Sequence, residues 1–286
     1  MTTSNRMNIK ERLGFDDTVE INYDDLSGSP INTPVVRIQS KDLPFQANEA
    51  INTLRANIQL SGYDIKVVGI TSAVKHEGKS SLSFQLAKSF AGLGKKTVYV
   101  DCDIRNSHTM ARLKISRRME GLSGYLCGRA ELADINYRTN IDNLNMIFTG
   151  ENVPNPSELF SEERFKRLMS LLRESYDYVI VDTPPINAVI DGVLILKECD
   201  GAVMVVESGV TDRNQAVRAK QQLEYAQIRI FGAVLNKLGT RKSGYGYGRY
   251  GYGYGYGKYG KYGYGKYGYG YGYGNTDEDK KKKKQS

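Results

Sequence analysis

The stretch GITSAVKHEGKSS, residues 69–81, decides the fold, because it joins a strand-like run to a helix-like run. Gly78, Lys79 and Ser80 fit the end of a P-loop, where backbone N–H groups at a helix N-terminus hold phosphate oxygens. In such a loop Lys79 reaches the β- and γ-phosphates, the Ser80 hydroxyl binds Mg²⁺, and Ser81 lies beside them in the first helical turn. The alternative interpretation is a charged turn that binds no ligand.

Short apolar runs alternate with amphipathic segments over most of the chain. The helix-like segments are 47–60, 80–94, 157–175, 191–199 and 213–226. The strand-like runs are KVVGIT (66–71), TVYVD (97–101), LNMIF (144–148), YVIVD (178–182), AVMVVE (202–207) and FGAVLN (231–236). Nearly continuous apolar strands that alternate with helices predict an α/β fold, with a parallel sheet covered by helices on both faces.

Three acidic residues follow two of these runs. Asp101 and Asp103 end the run YVDCD, and Asp182 ends VIVD, which has the form of a Walker B strand. Ligands of open α/β sheets bind at the carboxyl ends of the strands, so these carboxylates are predicted to hold Mg²⁺ beside the P-loop. Each acid taken alone is also compatible with a simple helix cap.

The net charge of +8 belongs to the last part of the chain. Residues 241–286 hold 11 Lys and Arg and three acids, which leaves 29 basic and 29 acidic residues in the first 240. A neutral body argues against a nucleic-acid-binding face. The three cysteines show no metal-ligand or CxxC spacing, and no secretory signal or apolar run of bilayer length is present. A cytoplasmic location is therefore expected.

Three regions are predicted from these patterns. Residues 1–44 form a polar, extended arm, residues 45–240 form the α/β domain, and residues 241–286 form a glycine-rich tail. Glycine at this density costs too much backbone entropy for a packed element, so the tail is predicted to be disordered. It holds 13 of the 21 tyrosines of the chain. They are Tyr245, Tyr247, Tyr250, Tyr252, Tyr254, Tyr256, Tyr259, Tyr262, Tyr264, Tyr267, Tyr269, Tyr271 and Tyr273.

Residues 47–240 resemble the bacterial tyrosine kinases of capsular and exopolysaccharide export, a P-loop family unrelated to eukaryotic protein kinases. The matching segments are ITSAVKHEGKSS as Walker A, YVDCDIR as the second acidic motif and VIVDTPP as Walker B, together with PNPSEL, GAVLNK and the tyrosine-rich tail. The family loop usually reads Pro-Gly at the positions of Lys75 and His76. The resemblance implies that ATP and Mg²⁺ bind these motifs and that a neighbouring subunit phosphorylates the tail tyrosines.

The resemblance also assigns roles in the reaction. Lys79 and Mg²⁺ would stabilise the departing phosphate, and Ser80, Asp101 and Asp182 would organise the metal. Either Asp101 or Asp103 would orient or deprotonate the tyrosine hydroxyl. Arg105 and Asn236 each have two interpretations. Arg105 contacts phosphate or forms a structural ion pair, and Asn236 contacts adenine or caps a turn.

Assembly and location follow from the same resemblance. Family members carry an ExxRxxR helix used in ring assembly; Glu49 and Arg55 match it, and Asn52 replaces the middle arginine. We therefore expect a homo-oligomer that regulates capsular or exopolysaccharide synthesis and export. A separate transmembrane chain-length regulator would activate it at the inner face of the membrane, and a tyrosine phosphatase would oppose it.

Two rival functions differ in class. A MinD/ParA-like positioning ATPase shares the fold type but carries a signature lysine where this chain has Val74, and it lacks a tyrosine-glycine tail. A nucleic-acid or condensate module would use the basic, aromatic repeats for stacking on bases, but the body offers it no basic face. Phosphate additions to the tail after incubation with Mg-ATP separate the kinase from both.

Overall fold

A seven-stranded sheet forms the centre of the described chain. The computed structural model describes residues 35–40, 42–115 and 119–238. The strands are β1 (Val67–Ser72), β2 (Thr97–Asp101), β3 (Tyr137–Arg138), β4 (Leu144–Ile147), β5 (Tyr178–Asp182), β6 (Gly201–Glu207) and β7 (Ile230–Asn236). The helices are α1 (Phe45–Leu60), α2 (Lys79–Ala91), α3 (Thr109–Arg112), α4 (Leu122–Leu126), α5 (Leu132–Ile135), α6 (Pro156–Ser161), α7 (Glu163–Ser175), α8 (Asp191–Leu196) and α9 (Arg213–Tyr225).

The strand order brings the predicted motifs to one edge. The order is β3-β4-β2-β5-β1-β6-β7, and every neighbouring pair is parallel except β3 with β4. In the pairing of β2 with β5, Asp101 lies opposite Asp182. Strand β1, which leads into the phosphate loop, pairs with β5 on one side and β6 on the other. The prediction of a parallel sheet is confirmed for the six predicted strands.

The apolar runs form strands because helices cover both faces of the sheet. All residues of β1 and β2 are buried, which explains why these runs show no polar alternation. On one face α2 packs against β2 and β5, and the Phe90 ring stacks on Tyr178 with 3.9 Å between ring centroids. On the other face α7 packs against β5 and buries Phe165 and Leu172.

The helix predicted over residues 157–175 is in fact two helices. Glu162 has an extended backbone (φ −79°, ψ 156°) and separates α6 from α7. The break lets Phe160 of α6 meet Phe165 of α7 edge to face, with 5.0 Å between ring centroids. Tertiary packing of two aromatic rings therefore overrides a continuous helical pattern.

The end of the predicted N-terminal arm packs on the domain. Val36 N donates to Arg138 O at 2.9 Å, Ile38 N donates to Asn140 Oδ1 at 2.6 Å, and both apolar side chains are buried. Residues 1–34 of the arm and the predicted disordered tail, 241–286, lie outside the described residues. No helix in the ranges that the structure describes is long and apolar enough to span a bilayer.

Candidate active site

The phosphate loop runs from β1 to the first turn of α2. Gly78 has φ +91°, a left-handed conformation that favours glycine. A Cβ at this position would also lie 2.2 Å from Nδ2 of Asn236, so a side chain here would displace that amide. The backbone N–H groups that begin α2 have no side-chain cap, which leaves them oriented toward a ligand.

The Lys79 side chain lies among carboxylates at the edge of the sheet. Its Nζ is 2.9 Å from Oδ2 of Asp103 and 3.6 Å from Oδ1 of Asp182. Burial disfavours the charged form of Lys79, but the two neighbouring carboxylates outweigh that effect, so its pKa is raised and it stays cationic. The structure thus brings Lys79 and the two predicted acids together.

Asp101 lies deeper in the same cluster and is 1% exposed. It accepts hydrogen bonds from Ser107 Oγ at 2.5 Å and from the backbone N–H of Asp103 at 3.2 Å. Burial, followed by the charge of Asp182, raises its pKa to about 6. A carboxyl group with that pKa is predominantly ionised at neutral pH and responds readily to an added cation.

The donor set fits a magnesium ion. Asp182 is fully buried. Its Oδ2 accepts from Tyr99 OH at 3.0 Å, whereas its Oδ1 makes no hydrogen bond and lies 3.6 Å from the Lys79 ammonium. A buried carboxylate oxygen without a hydrogen bond is expected where a cation completes the site. Within the described ranges no group of three or more His, Cys, Asp and Glu could hold a metal. Mg²⁺ needs no such cage, since it takes one or two carboxylates with substrate phosphates and water.

Glu77 holds the loop from within, a role that its sequence position did not reveal. The side chain is 1% exposed; Oε2 accepts from Val74 N at 2.9 Å, and Oε1 accepts from the Thr211 hydroxyl and from Glu207 N at 3.4 Å. The loop is therefore fastened to the end of β6 as well as to β1 and α2. A charged residue next to the Gly-Lys pair is the only sequence signal for it.

A cavity of about 380 Å³ opens over the loop. Of the predicted residues it contains Gly78, Lys79, Ser80, Ser81 and Asp103. The residues that the sequence analysis did not single out as ligands are Lys75, His76, Asn106, His108, Arg112, Pro185 and Lys237. A larger cavity of about 770 Å³ lies between α8 and α9 and contains none of the predicted site residues. The predicted phosphate-binding residues thus line the smaller of these two cavities.

Comparisons with known proteins agree with this site. Residues 65–211 match the family model described as an AAA domain. The chain is 39% identical to the tyrosine-protein kinase CpsD of Streptococcus agalactiae over 201 residues, which is 70% of this chain and 88% of that protein. The chain belongs to the bacterial tyrosine kinases.

Solved structures extend this similarity to the fold. The kinase domain of the Escherichia coli tyrosine kinase ETK superposes with a TM-score of 0.66 at 30% identity, covering 76% of this chain and 89% of that domain. The chimeric protein CapA2B2 gives a TM-score of 0.64 at 30% identity, covering 74% and 97%. MinD of Pyrococcus horikoshii, solved with Mg-ADP, reaches 0.54 at 19% identity over 62% of this chain and 72% of that one. That likeness concerns the nucleotide-binding fold alone.

Arg105 of the kinase lies in a structural ion pair. Its Nε donates to Asp191 Oδ2 at 2.7 Å, and its Nη2 donates to Asp191 Oδ1 at 3.3 Å and to Ser157 Oγ at 3.0 Å. These contacts join the loop after β2 to the starts of α6 and α8. Of the two interpretations left open for Arg105, the geometry matches the ion pair, and Arg105 does not line the cavity.

Asn236 of the kinase contacts the phosphate loop. Its Nδ2 donates to Glu77 O at 2.8 Å, and its Oδ1 accepts from Lys237 N at 2.9 Å. Both polar atoms of the amide are engaged with backbone groups, which corresponds to the turn-capping interpretation. The contact explains the close approach of Asn236 to Gly78 described above.

The predicted assembly residues lie on α1. Glu49 accepts from Asn52 Nδ2 at 3.1 Å on the exposed side of the helix. Arg55 instead turns toward α2, where Nη1 donates to Ser89 Oγ at 2.6 Å and to Ser89 O at 3.1 Å. Asn52, which replaces the middle arginine of the motif, also contacts Arg55 and Ser89. These contacts fix α1 on α2 within one chain.

Proposed function

We propose that the kinase transfers the γ-phosphate of ATP to tyrosines in the tail of a neighbouring copy. The observation that supports this most directly is the meeting of the cation of Lys79 with Asp103 and Asp182 at the mouth of a phosphate loop. Asp103, beyond the end of β2, and Asp182, at the end of β5, thus lie beside the ammonium that would hold the γ-phosphate. The family relationship and the 13 tail tyrosines supply the reaction type and the acceptor.

Lys79 and the loop would hold the phosphates. The N-terminus of α2 and the Lys79 ammonium place positive charge where the γ-phosphate gains negative charge as it leaves. Ser80, Asp101 and Asp182 would hold Mg²⁺, which when bound supplies further neutralisation of the phosphate oxygens. Since Lys79 is paired with Asp103, binding of ATP would exchange one anionic partner of the ammonium for another.

Asp103 is the acid we assign as base. It lines the cavity, whereas Asp101 lies beneath it and is bound by Ser107. A base must come within hydrogen-bonding reach of the proton it takes. Once the Lys79 ammonium moves to phosphate, Asp103 would accept the proton of the tyrosine hydroxyl. The tyrosine oxygen then bonds to the γ-phosphorus, the bond to the bridging β,γ-oxygen breaks, and ADP leaves.

The test uses the intact chain and Mg-ATP. Intact-mass spectra are expected to show repeated additions of about 80 daltons, the mass of one phosphoryl group, and fragment spectra should place them within residues 245–273. A matched chain with phenylalanine at all 13 tail positions should gain none. ATP hydrolysis without additions to the native tail would refute the proposal and favour a positioning ATPase.

Lys79→Met should lose at least about 100-fold in phosphotransfer, because the ammonium is the proposed stabiliser of the departing phosphate. Lys220→Met, on the exposed surface of α9, is the matched control and should keep full activity.

Mixing Lys79→Met chains with active chains that lack tail tyrosines tests transfer between copies. Phosphate must then accumulate on the Lys79→Met chain. Full activity of Lys79→Met alone would contradict the assignment.

Assembly and partners belong to the same proposal. We expect a homo-oligomer, activation by a separate transmembrane chain-length regulator of capsular or exopolysaccharide export, and reversal by a tyrosine phosphatase. The relationship to capsule-associated kinases supports this. A kinase held at the inner face of the membrane by such a partner should phosphorylate its tail faster when the cytoplasmic segment of the regulator is added. An unchanged rate would contradict the partner assignment.

A further inference from the structure

Lys237 follows the last residue of β7 and reaches back to the phosphate loop. Its Nζ donates to the backbone carbonyl of His76 at 2.7 Å and to Glu207 Oε2 at 2.7 Å. Glu207 ends β6, and its own backbone N–H is fixed by Thr211 and Glu77. The ammonium therefore connects the outer turn of the loop to a residue that is anchored in the sheet.

The bonded carbonyl belongs to a strained position. His76 has φ +69°, in the left-handed region that a residue with a Cβ adopts at a cost. Its side chain is exposed, and no hydrogen bond of the imidazole offsets that cost within the described residues. Among the described residues, Lys237 Nζ is the hydrogen-bond donor to the carbonyl of this residue. The following residues, Glu77 and Gly78, lead directly into the phosphate-binding turn.

We propose that Lys237 is a positioning residue, which holds the left-handed His76 peptide and thereby the phosphate-binding conformation of the loop. Glu207 fixes the Lys237 ammonium in place. The inference rests on the proposed nucleotide site and adds a determinant of its affinity that lies 161 residues away from the loop carbonyl. The competing explanation is that Lys237, which lines the cavity, attracts phosphate by its charge alone.

Removal of Glu207's charge separates the two explanations. Glu207→Gln weakens the hold on the ammonium but leaves the positive charge of Lys237 and removes a negative charge near the cavity. Charge attraction alone predicts tighter binding of Mg-ADP, whereas positioning predicts binding weakened by about three-fold. Calorimetry on the full chain measures the dissociation constant, and the unfolding midpoint without nucleotide should stay within the range of Lys220→Met.

A double-mutant cycle gives the second test. Lys237→Met should weaken Mg-ADP binding by about ten-fold, the fold-change expected for loss of a charge-assisted hydrogen bond. His76→Gly removes the conformational cost, so Lys237→Met in that background should weaken binding by less than about three-fold. With ATP, the KM of Lys237→Met should rise while kcat changes little, because the residue orders the loop and does not contact the reacting atoms.

Each result of these experiments supports or overturns the positioning role of Lys237. Equal effects of Lys237→Met in both backgrounds, or tighter binding by Glu207→Gln, would overturn the positioning role and leave the nucleotide site intact. A native chain that binds no Mg-ADP would overturn the nucleotide site and this inference with it. Non-additivity in the cycle, together with weaker binding by Glu207→Gln, would support the role.

Discussion

At the scale of single residues, ionisation of the buried Asp101 carboxyl group lowers the free energy of unfolding. Its pKa is raised to about 6 from the ordinary value of 3.8, mainly by burial and then by Asp182. The folded chain therefore binds a proton more tightly than the unfolded chain does. The contribution of Asp101 to the free energy of unfolding is therefore largest below about pH 4. It falls as the pH rises toward 6 and Asp101 ionises.

Asp101→Asn should therefore stabilise the nucleotide-free kinase while it impairs catalysis. The variant cannot ionise at this position, so its free energy of unfolding at pH 7 should exceed that of the native chain by on the order of 2 kcal/mol. The difference should shrink as the pH falls from 7 to 5. Urea unfolding at several pH values measures it. A difference that is constant with pH would contradict the buried-charge explanation, and unimpaired phosphotransfer would contradict the metal-site assignment.

Strand-end positions made most of the candidate site predictable at this scale. Asp101, Asp103 and Asp182 were found because the carboxyl ends of parallel strands meet at one edge. The partners of Arg105 and Lys237 could not be predicted in this way. Asp191 lies 86 residues after Arg105, and His76 lies 161 residues before Lys237, and no local pattern encodes such contacts.

At the scale of elements, one carboxylate fastens the start of β1 to the end of α7. Asp200 Oδ2 accepts from the backbone N–H groups of Lys66 and Val67, each at 2.8 Å, and Asp200 also pairs with Arg173, with 2.6 Å between Oδ1 and Nη2. Burial opposes the charged form, but these bonds outweigh it, so the pKa of Asp200 is lowered. The start of the strand that leads into the phosphate loop depends on this residue.

Asp200→Asn should lower the free energy of unfolding by about 1–2 kcal/mol at pH 7, because an amide has one accepting oxygen and cannot accept all three of these bonds. Since the folded pKa is lowered, the contribution of the native carboxylate is present above about pH 4 and is lost as the pH falls through the folded pKa. Asp177→Asn is the control, since Asp177 accepts a single bond from Lys96 N and is exposed. Equal losses for the two variants would show that the network around Asp200 adds nothing.

Length and continuity decided which elements were predictable. The six parallel strands are apolar runs of four to seven residues, and each was recognised. Strand β3 has two residues and pairs antiparallel at the edge, too short for a periodic signal. The break at Glu162 was missed because α6 and α7 continue one helical pattern; the extended backbone of Glu162 and the contact between Phe160 and Phe165 reveal it.

At the scale of the whole molecule, the charge is divided between a neutral body and a cationic tail. Residues 241–286 carry +8, and each phosphotyrosine adds about −1.5 to −2 at neutral pH. Four or five phosphates would therefore cancel the charge of the tail. On the proposed transfer between copies, an unmodified tail would be attracted to the carboxylates of a neighbouring site, aided by the high effective concentration within an oligomer, whereas a heavily modified tail would be repelled.

Subunits should therefore separate as the tail becomes phosphorylated. Light scattering before and after incubation with Mg-ATP, at low and at physiological salt, is expected to show a fall in mass once about five phosphates are present per chain. The chain with phenylalanine at all tail positions should keep its mass under the same conditions. Unchanged mass of the native kinase at that degree of modification would refute the switch without affecting the kinase assignment.

The bonds from Asn236 and Lys237 to the phosphate loop bear on how this chain can evolve. Simple repeats gain and lose copies during replication, and the Gly-Tyr run beyond Lys242 is such a repeat. Both residues precede that run, so on the proposed function a change in repeat number would alter the number of acceptor tyrosines and leave the contacts of the phosphate loop unchanged. Variants with fewer repeats should accept fewer phosphates at the same affinity for Mg-ATP.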